Sequence, residues 1–151
     1  MNIHFRTAKI ADLETMVSLL ARDKLGSQRE DISRPLNSAY VDAFHAISDD
    51  VNNQLLVVEL SNQVIGMMQL TFIPYLTHVG TWRCLIEGVR IDHSFRGQSI
   101  GEKMFLHAFE MAKEKGCKVV QLTSDKLRPD AIRFYEKLGF KATHEGFKLA
   151  L

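Results

Sequence analysis

Along this chain the spacing of apolar positions switches repeatedly between two residues and three or four, and each switch marks an element. Ile3 to Arg6 reads as a short first strand. Thr7 or Asp12 then caps a helix with Leu13, Met16, Val17, Leu20 and Ala21 on one face, ending near Gly26. A polar stretch from Ser27 to Pro35 reads as a substrate-side loop, before helical spacing returns through Leu36, Tyr40, Val41, Phe44 and Ile47. Gln54 to Leu60 and Val64 to Tyr75 read as strands joined by Ser61-Asn62-Gln63, a short polar turn suited to an antiparallel hairpin, with Pro74 ending or bending the second.

Farther along, Cys84 to Ile91 is rich in strand formers, and the strand through Glu87 to Ile91 leads into a helix. That helix carries Ile100, Met104, Phe105, Ala108, Phe109 and Ala112 on one face and stops near Lys115-Gly116. Lys118 to Ser124 reads as another strand. Pro129 suits the first position of a last helix, Asp130 to Leu138, which Gly139 ends. Phe140 to His144 and Phe147 to Leu151 alternate as closing strands. The expected order is β, α, α, β, β, β, α, β, α, β, an α+β fold with one core in a single domain, residues 1–151.

Composition narrows the function classes. The chain has 151 residues, 46% hydrophobic and 25% charged, which suits a globular domain that needs no disulfide or structural metal to fold. A formal net charge of +1 gives no overall field toward nucleic acid or an anionic membrane, so any anion site is local. Arg6, Lys9 and Asp12 interrupt the N-terminal apolar residues, so no signal peptide is expected, and no apolar run reaches membrane-spanning length. The two cysteines, Cys84 and Cys117, form no CxxC pair, as expected of a reduced, cytoplasmic protein. His4, His45, His93, His107 and His144 have no cysteine or carboxylate at ligand spacing, so no metal is expected.

The most informative chemistry lies at Arg96, Gly97, Gln98, Ser99, Ile100, Gly101 and Glu102, between a strand and the start of a helix. The first amides of a helix lack intrahelical acceptors, and the macrodipole adds about half a positive charge there, so the junction suits an anion such as a phosphate. Gly97 and Gly101 let the backbone approach a ligand closely, and Arg96 or Lys103 adds charge.

This order of elements, with VRIDHSFRGQSIGEKMF (89–105) and AIRFYEKLGF (131–140), resembles the GNAT superfamily of N-acetyltransferases over nearly the whole chain. The family's loop runs Arg or Gln, two residues, Gly, one residue, then Gly or Ala; Arg96 and Gly101 fit, and Ser99 replaces the middle glycine. The resemblance implies a mixed, mostly antiparallel central sheet flanked by helices in three layers, with strands splayed at the cofactor site. It implies acetyl-CoA as co-substrate, its pantetheine along Val89, Arg90 and Ile91 and its pyrophosphate on residues 96–102. It places Tyr135, beside Phe134, near the thioester sulfur as general acid, and Glu87 as a water-linked base for the amine; Tyr75 and His78 are further candidates. Where the family often has an asparagine, this chain has Arg128, which offers a phosphate or acceptor contact instead.

The acceptor expected from the resemblance is a primary amine of a small molecule or peptide, and a homodimer is compatible with it. Arg29, Glu30, Asp31 and Arg34 offer charges that a small acceptor can meet. A second class of function is a domain that binds acyl-CoA as a sensor or partner module without transferring the group, which Ser99 and Arg128 favour. A doubly wound nucleotide binder fits less well, since GxxxxGK[ST] is missing.

Overall fold

The hairpin predicted around Ser61 and Asn62 has a tight two-residue turn, with both residues at positive φ (49° and 62°), as the primed hairpin turns require. It joins β2 (Asn53–Leu60) to β3 (Gln63–Pro74) in a computed structural model that describes residues 1–151. Two compact units divide the chain, Met1–Gln121 and Leu122–Leu151. The first holds an open five-stranded sheet in the order β1-β2-β3-β4-β5, with β1 at Ile3–Thr7, β4 at Trp82–Ile91 and β5 at Val119–Gln121. All neighbours are antiparallel except β4 and β5.

On one face of the sheet lie α1 (Leu13–Ala21) and α3 (Ser38–Asp49), whose Met16, Val17, Leu19 and Phe44 bury against Leu55 and Val57 of β2 and Met67 of β3. The opposite face carries α4 (Ile100–Glu114), which buries Ile100, Met104, Phe105, Ala108 and Ala112. The strand period explains the division. Phe5, opposite Val58, stacks on His107 of α4 at 4.6 Å between ring centroids, whereas the next residue along β2, Val57, belongs to the other core.

The N-terminal helices differ from the sequence expectation. Asp12 stands just before α1 but does not cap it, because its carboxylate accepts from Arg6 Nη1 (2.7 Å) and from the Lys9 amide (2.7 Å). The Arg6 guanidinium holds that carboxyl below the usual range and also bonds Glu59 (2.8 Å), tying β1 to β2. Gly26 does not end a helix. A separate α2 (Lys24–Arg29) begins at Asp23, whose side chain accepts from the Gly26 amide at 3.2 Å. A Cβ on Gly26 would lie 1.9 Å from the Leu20 carbonyl oxygen, so glycine is there for close packing rather than as a stop.

In the second unit, Pro129 opens α5 (Pro129–Lys137) and Gly139 follows with φ +100°, as the sequence predicts. The two closing strands do not form, and no residue from 140 to 151 enters a strand. Alternation supplies a strand-like face, leaving Phe147 and Leu149 exposed, but a ladder also needs a partner strand, which the unit lacks. The expected strand at 118–124 is likewise shorter, with Val119–Gln121 alone pairing β4.

Candidate active site

β4 is the centre of the candidate site because its two edges are treated differently. Toward β3 it pairs along nearly its whole length, from Pro74↔Trp82 to Gly66↔Ile91. Toward β5 it pairs only at Arg83, Cys84 and Leu85, opposite Val119, Val120 and Gln121. From Ile86 to Ile91 no strand joins it on that side, so an extended ligand has a row of main-chain groups to meet. Val89, Arg90 and Ile91 all lie in this open stretch.

A bulge shapes the opening. Met67 is opposite Arg90 and Gln69 opposite Glu87, so Gly88 and Val89 together face Met68 alone. Gly88 has φ +62°, the left-handed conformation of a glycine bulge, which kinks the strand and increases its twist. The buried Arg90 fixes the bulge from inside: Nη1 donates to the Val89 carbonyl at 2.8 Å, and Nη2 lies 3.5 Å from Asp23. Its side chain is thus committed to the fold, and its backbone is what it offers a ligand. The sequence held a clue to the bulge, an isolated glycine inside a strand pattern.

Immediately after β4, Asp92 accepts from the Ser94 amide (2.9 Å) and pairs with Arg22 from the end of α1. Burial opposes its ionisation, but the amide and the guanidinium outweigh it and hold the carboxyl below its usual range. No local pattern marks this anchor, since Arg22 is 70 residues away. Leu19, Arg22, Asp23, Arg90, Ile91, His93 and Arg96 line a cavity of about 380 Å³ beside it.

Arg96, Gly97, Gln98 and Ser99 are exposed, and α4 begins at Ile100. Lys103 N donates to Ser99 O (3.0 Å), so the amides of Ile100, Gly101 and Glu102 precede the helical ladder. Gly97 and Ser99 both have positive φ, +77° and +60°. Ser99 thus occupies a left-handed position that glycine adopts without strain, the physical reason a glycine would be expected there. These amides outside the helical ladder, behind the exposed residues 96–99, and the open edge of β4 fit the phosphate and amide groups of coenzyme A.

Glu87 is exposed, on the sheet face opposite the buried Cys84 and Ile86. Tyr75 ends the loop-side continuation of β3, its amide bonded to Thr81 O (2.8 Å), and His78 sits in a left-handed turn, Thr77–Gly80. In the second unit, Arg128 precedes Pro129 at the start of α5. Tyr135 packs edge-to-face between Phe134 (5.6 Å) and Phe140 (6.0 Å), in keeping with a structured aromatic.

A family model for the acetyltransferase (GNAT) family matches residues 14–140, and this chain belongs to that family. It is 32% identical over 113 residues to the aminoalkylphosphonate N-acetyltransferase of Salmonella typhimurium, covering 75% of this chain and 73% of that one. It is 35% identical over 92 residues to the glucosamine 6-phosphate N-acetyltransferase of Trypanosoma brucei brucei, covering 60% of each. Among solved structures, that of a transcriptional regulator from Bacillus halodurans C-125 is 51% identical, with a TM-score of 0.96 over 99% of this chain and 100% of that one. The protein is accordingly an N-acetyltransferase of the acyltransferase class.

Proposed function

We propose that this protein is an acetyl-CoA-dependent N-acetyltransferase that moves the acetyl group directly to the primary amine of a small molecule. The observation that carries this reading is the open edge of β4 from Ile86 to Ile91, followed after residues 92–99 by the start of α4, where the first amides have no intrahelical acceptor. Acetyl-CoA, when bound, supplies an acyl thioester open to attack by an amine. Val89, Arg90 and Ile91 offer main-chain groups to its pantetheine, and Arg96 to Glu102 receive its pyrophosphate. Arg128 adds a cation for a phosphate or an acceptor group, and Phe134 helps hold Tyr135.

Glu87, through water, accepts the proton that an alkylammonium must lose before its nitrogen has a lone pair. The Val89 amide polarises the carbonyl, and Tyr135 donates its phenolic proton to the departing thiolate. The two curated relatives act on an aminoalkylphosphonate and an amino sugar phosphate, which supports a small-molecule acceptor over a peptide.

Release of free thiol from acetyl-CoA, measured against a panel of amines, tests the reading. Tyr135→Phe should slow turnover roughly ten- to a thousandfold with little change in coenzyme A affinity; unchanged turnover removes the acid role. The 51% identity to a transcriptional regulator favours a second reading, an acyl-CoA-binding sensor. Thermal stabilisation by acetyl-CoA without thiol release from any amine would select it.

A further inference from the structure

On the sheet face that carries Glu87, one cation has no counter-charge. Arg83 points to the same side of β4 as Leu85 and Glu87, because the alternate residues Cys84 and Ile86 are buried toward α4. Phe72, opposite Cys84, confirms the sidedness, since Lys115 at the end of α4 lies 5.4 Å from its ring centroid. The Arg83 guanidinium stacks over the Tyr75 ring, 4.6 Å from its centroid, and Nη1 donates to Gln121 Oε1 at 3.2 Å. Gln121 Nε2 in turn donates to the Tyr75 hydroxyl at 3.2 Å, closing a three-membered cluster.

This cluster holds the guanidinium without neutralising it. No carboxylate forms an ion pair with Arg83, and its Nε is buried with no acceptor. A guanidinium presents five donors in a planar fork, and only one is used here. A half-buried charge held in place on a neutral aromatic and a neutral amide is arranged for an anion that comes from outside.

The surroundings indicate which anion. Gln121 lies opposite Leu85, where β5 departs and the strand edge opens, so the cluster that holds the guanidinium borders the open stretch. Four residues along a strand span roughly 13 Å, which sets the spacing between Arg83 and Glu87 on this face. Between them, Gln69 and Thr71 of β3 lie opposite Glu87 and Leu85, and both donate to Asn53 Oδ1 (3.4 and 2.7 Å), so the floor is polar and uncharged. An amine beside Glu87, joined by a short or sugar-sized linker to an oxyanion at Arg83, matches this arrangement of charges.

We propose that Arg83, held by Tyr75 and Gln121, binds the phosphoryl or phosphonyl group of the amine acceptor and thereby selects phosphorus-bearing amines. The proposal rests on the transferase reading for the amine end alone; the anion site stands on its own geometry. Guanidinium donors meet a tetrahedral oxyanion in bidentate fashion, which an ammonium does not. Arg83 is therefore a specificity residue, remote from the transferred acetyl group.

The test is calorimetric titration of the coenzyme A-saturated protein, together with thiol-release kinetics. The matched probes are glucosamine 6-phosphate against glucosamine and 2-aminoethylphosphonate against ethylamine. The wild type should prefer at least one phosphorus-bearing partner by about ten- to a hundredfold, in Kd and in kcat/KM through KM. Which pair carries the preference tells a phosphate ester from a phosphonate. Arg83→Gln should abolish the preference while leaving the phosphorus-free amine and coenzyme A unaffected, and Arg83→Lys, which keeps the charge, should lose about tenfold.

Equal affinity within both wild-type pairs, or a preference that survives in Arg83→Lys and Arg83→Gln, would overturn the proposal whether or not either variant is stable. Arg83-dependent binding without thiol release would overturn the transferase reading and leave the anion site standing. Transfer to amines with no phosphorus preference would do the reverse.

Discussion

The two halves of β4 have the same neighbour on one side and opposite situations on the other. From Arg83 to Leu85 the strand is enclosed by β3 and β5, and Cys84 is fully buried. From Ile86 to Ile91 the β5 side is open, and a bulge at Gly88 together with an Arg90 bond to the Val89 carbonyl holds the irregular backbone in shape. Completing the ladder gives stability, whereas leaving it incomplete, with the loose backbone fixed from within, gives a binding edge. Two ion pairs, Arg90 with Asp23 and Arg22 with Asp92, flank the open half.

The sharpest way to break this contrast is Gly88→Val. A β-branched residue at φ +62° carries a left-handed strain of about 1–2 kcal/mol or reverts the bulge, and either moves Val89. Acetyl transfer should fall on the order of a hundredfold, since misplacement by about 1 Å costs that much. Steady-state kinetics beside a urea melt separates the two effects, and wild-type activity would show that the bulge does not shape the site.

Asp92→Asn tests the anchor of the open half. Losing a buried charge-assisted pair should cost about 1–3 kcal/mol at neutral pH. The folded carboxyl is held below the ordinary value, so its contribution is present above the unfolded aspartate pKa of about 3.9 and disappears as pH falls through the folded value. Urea unfolding of both proteins should therefore show a gap at pH 7 that closes in acid; a gap constant with pH points to packing alone.

The enclosed half makes a smaller, opposite prediction. Burial pushes the Cys84 thiol from an ordinary 9.0 up to about 12, with Cys117 nearby adding to the shift. A raised pKa means that the neutral thiol's contribution is complete below about 9 and is lost as pH rises toward about 12. Relative to Cys84→Ala, the wild type should lose stability across that window. Native Cys84 should also resist a thiol reagent at pH 8 that labels the partly exposed Cys117 first, and rapid labelling of Cys84 would mean that the enclosed half opens.

Local rules were legible in the sequence. The Ser61-Asn62 turn, Pro129 at the start of α5 and the loop entering α4 follow from backbone sterics and unsatisfied helix amides, which depend on a few adjacent residues. Gly26 misled because a glycine can end a helix or admit a close backbone, and only the Leu20 carbonyl beside it distinguishes the two. The strand expected at 118–124 is shorter and the closing strands do not form for one reason: alternation specifies a face and says nothing of a partner. The 96–102 loop stands out as a local motif and Glu87 is expected from the family resemblance, while the anchors Arg22 and Asp92 and the Arg83 cluster have no local signal.

By itself, then, the chain determined its turns, its helix starts, the apolar faces of α1 and α4 and the anion-ready loop, because each is settled within a few bonds of its own residues. Tertiary structure decided where β5 leaves β4, how the bulge is pinned and which neutral groups surround the Arg83 charge. Those outcomes depend on hydrogen-bond partners that lie tens of residues apart and meet only when the sheet is assembled.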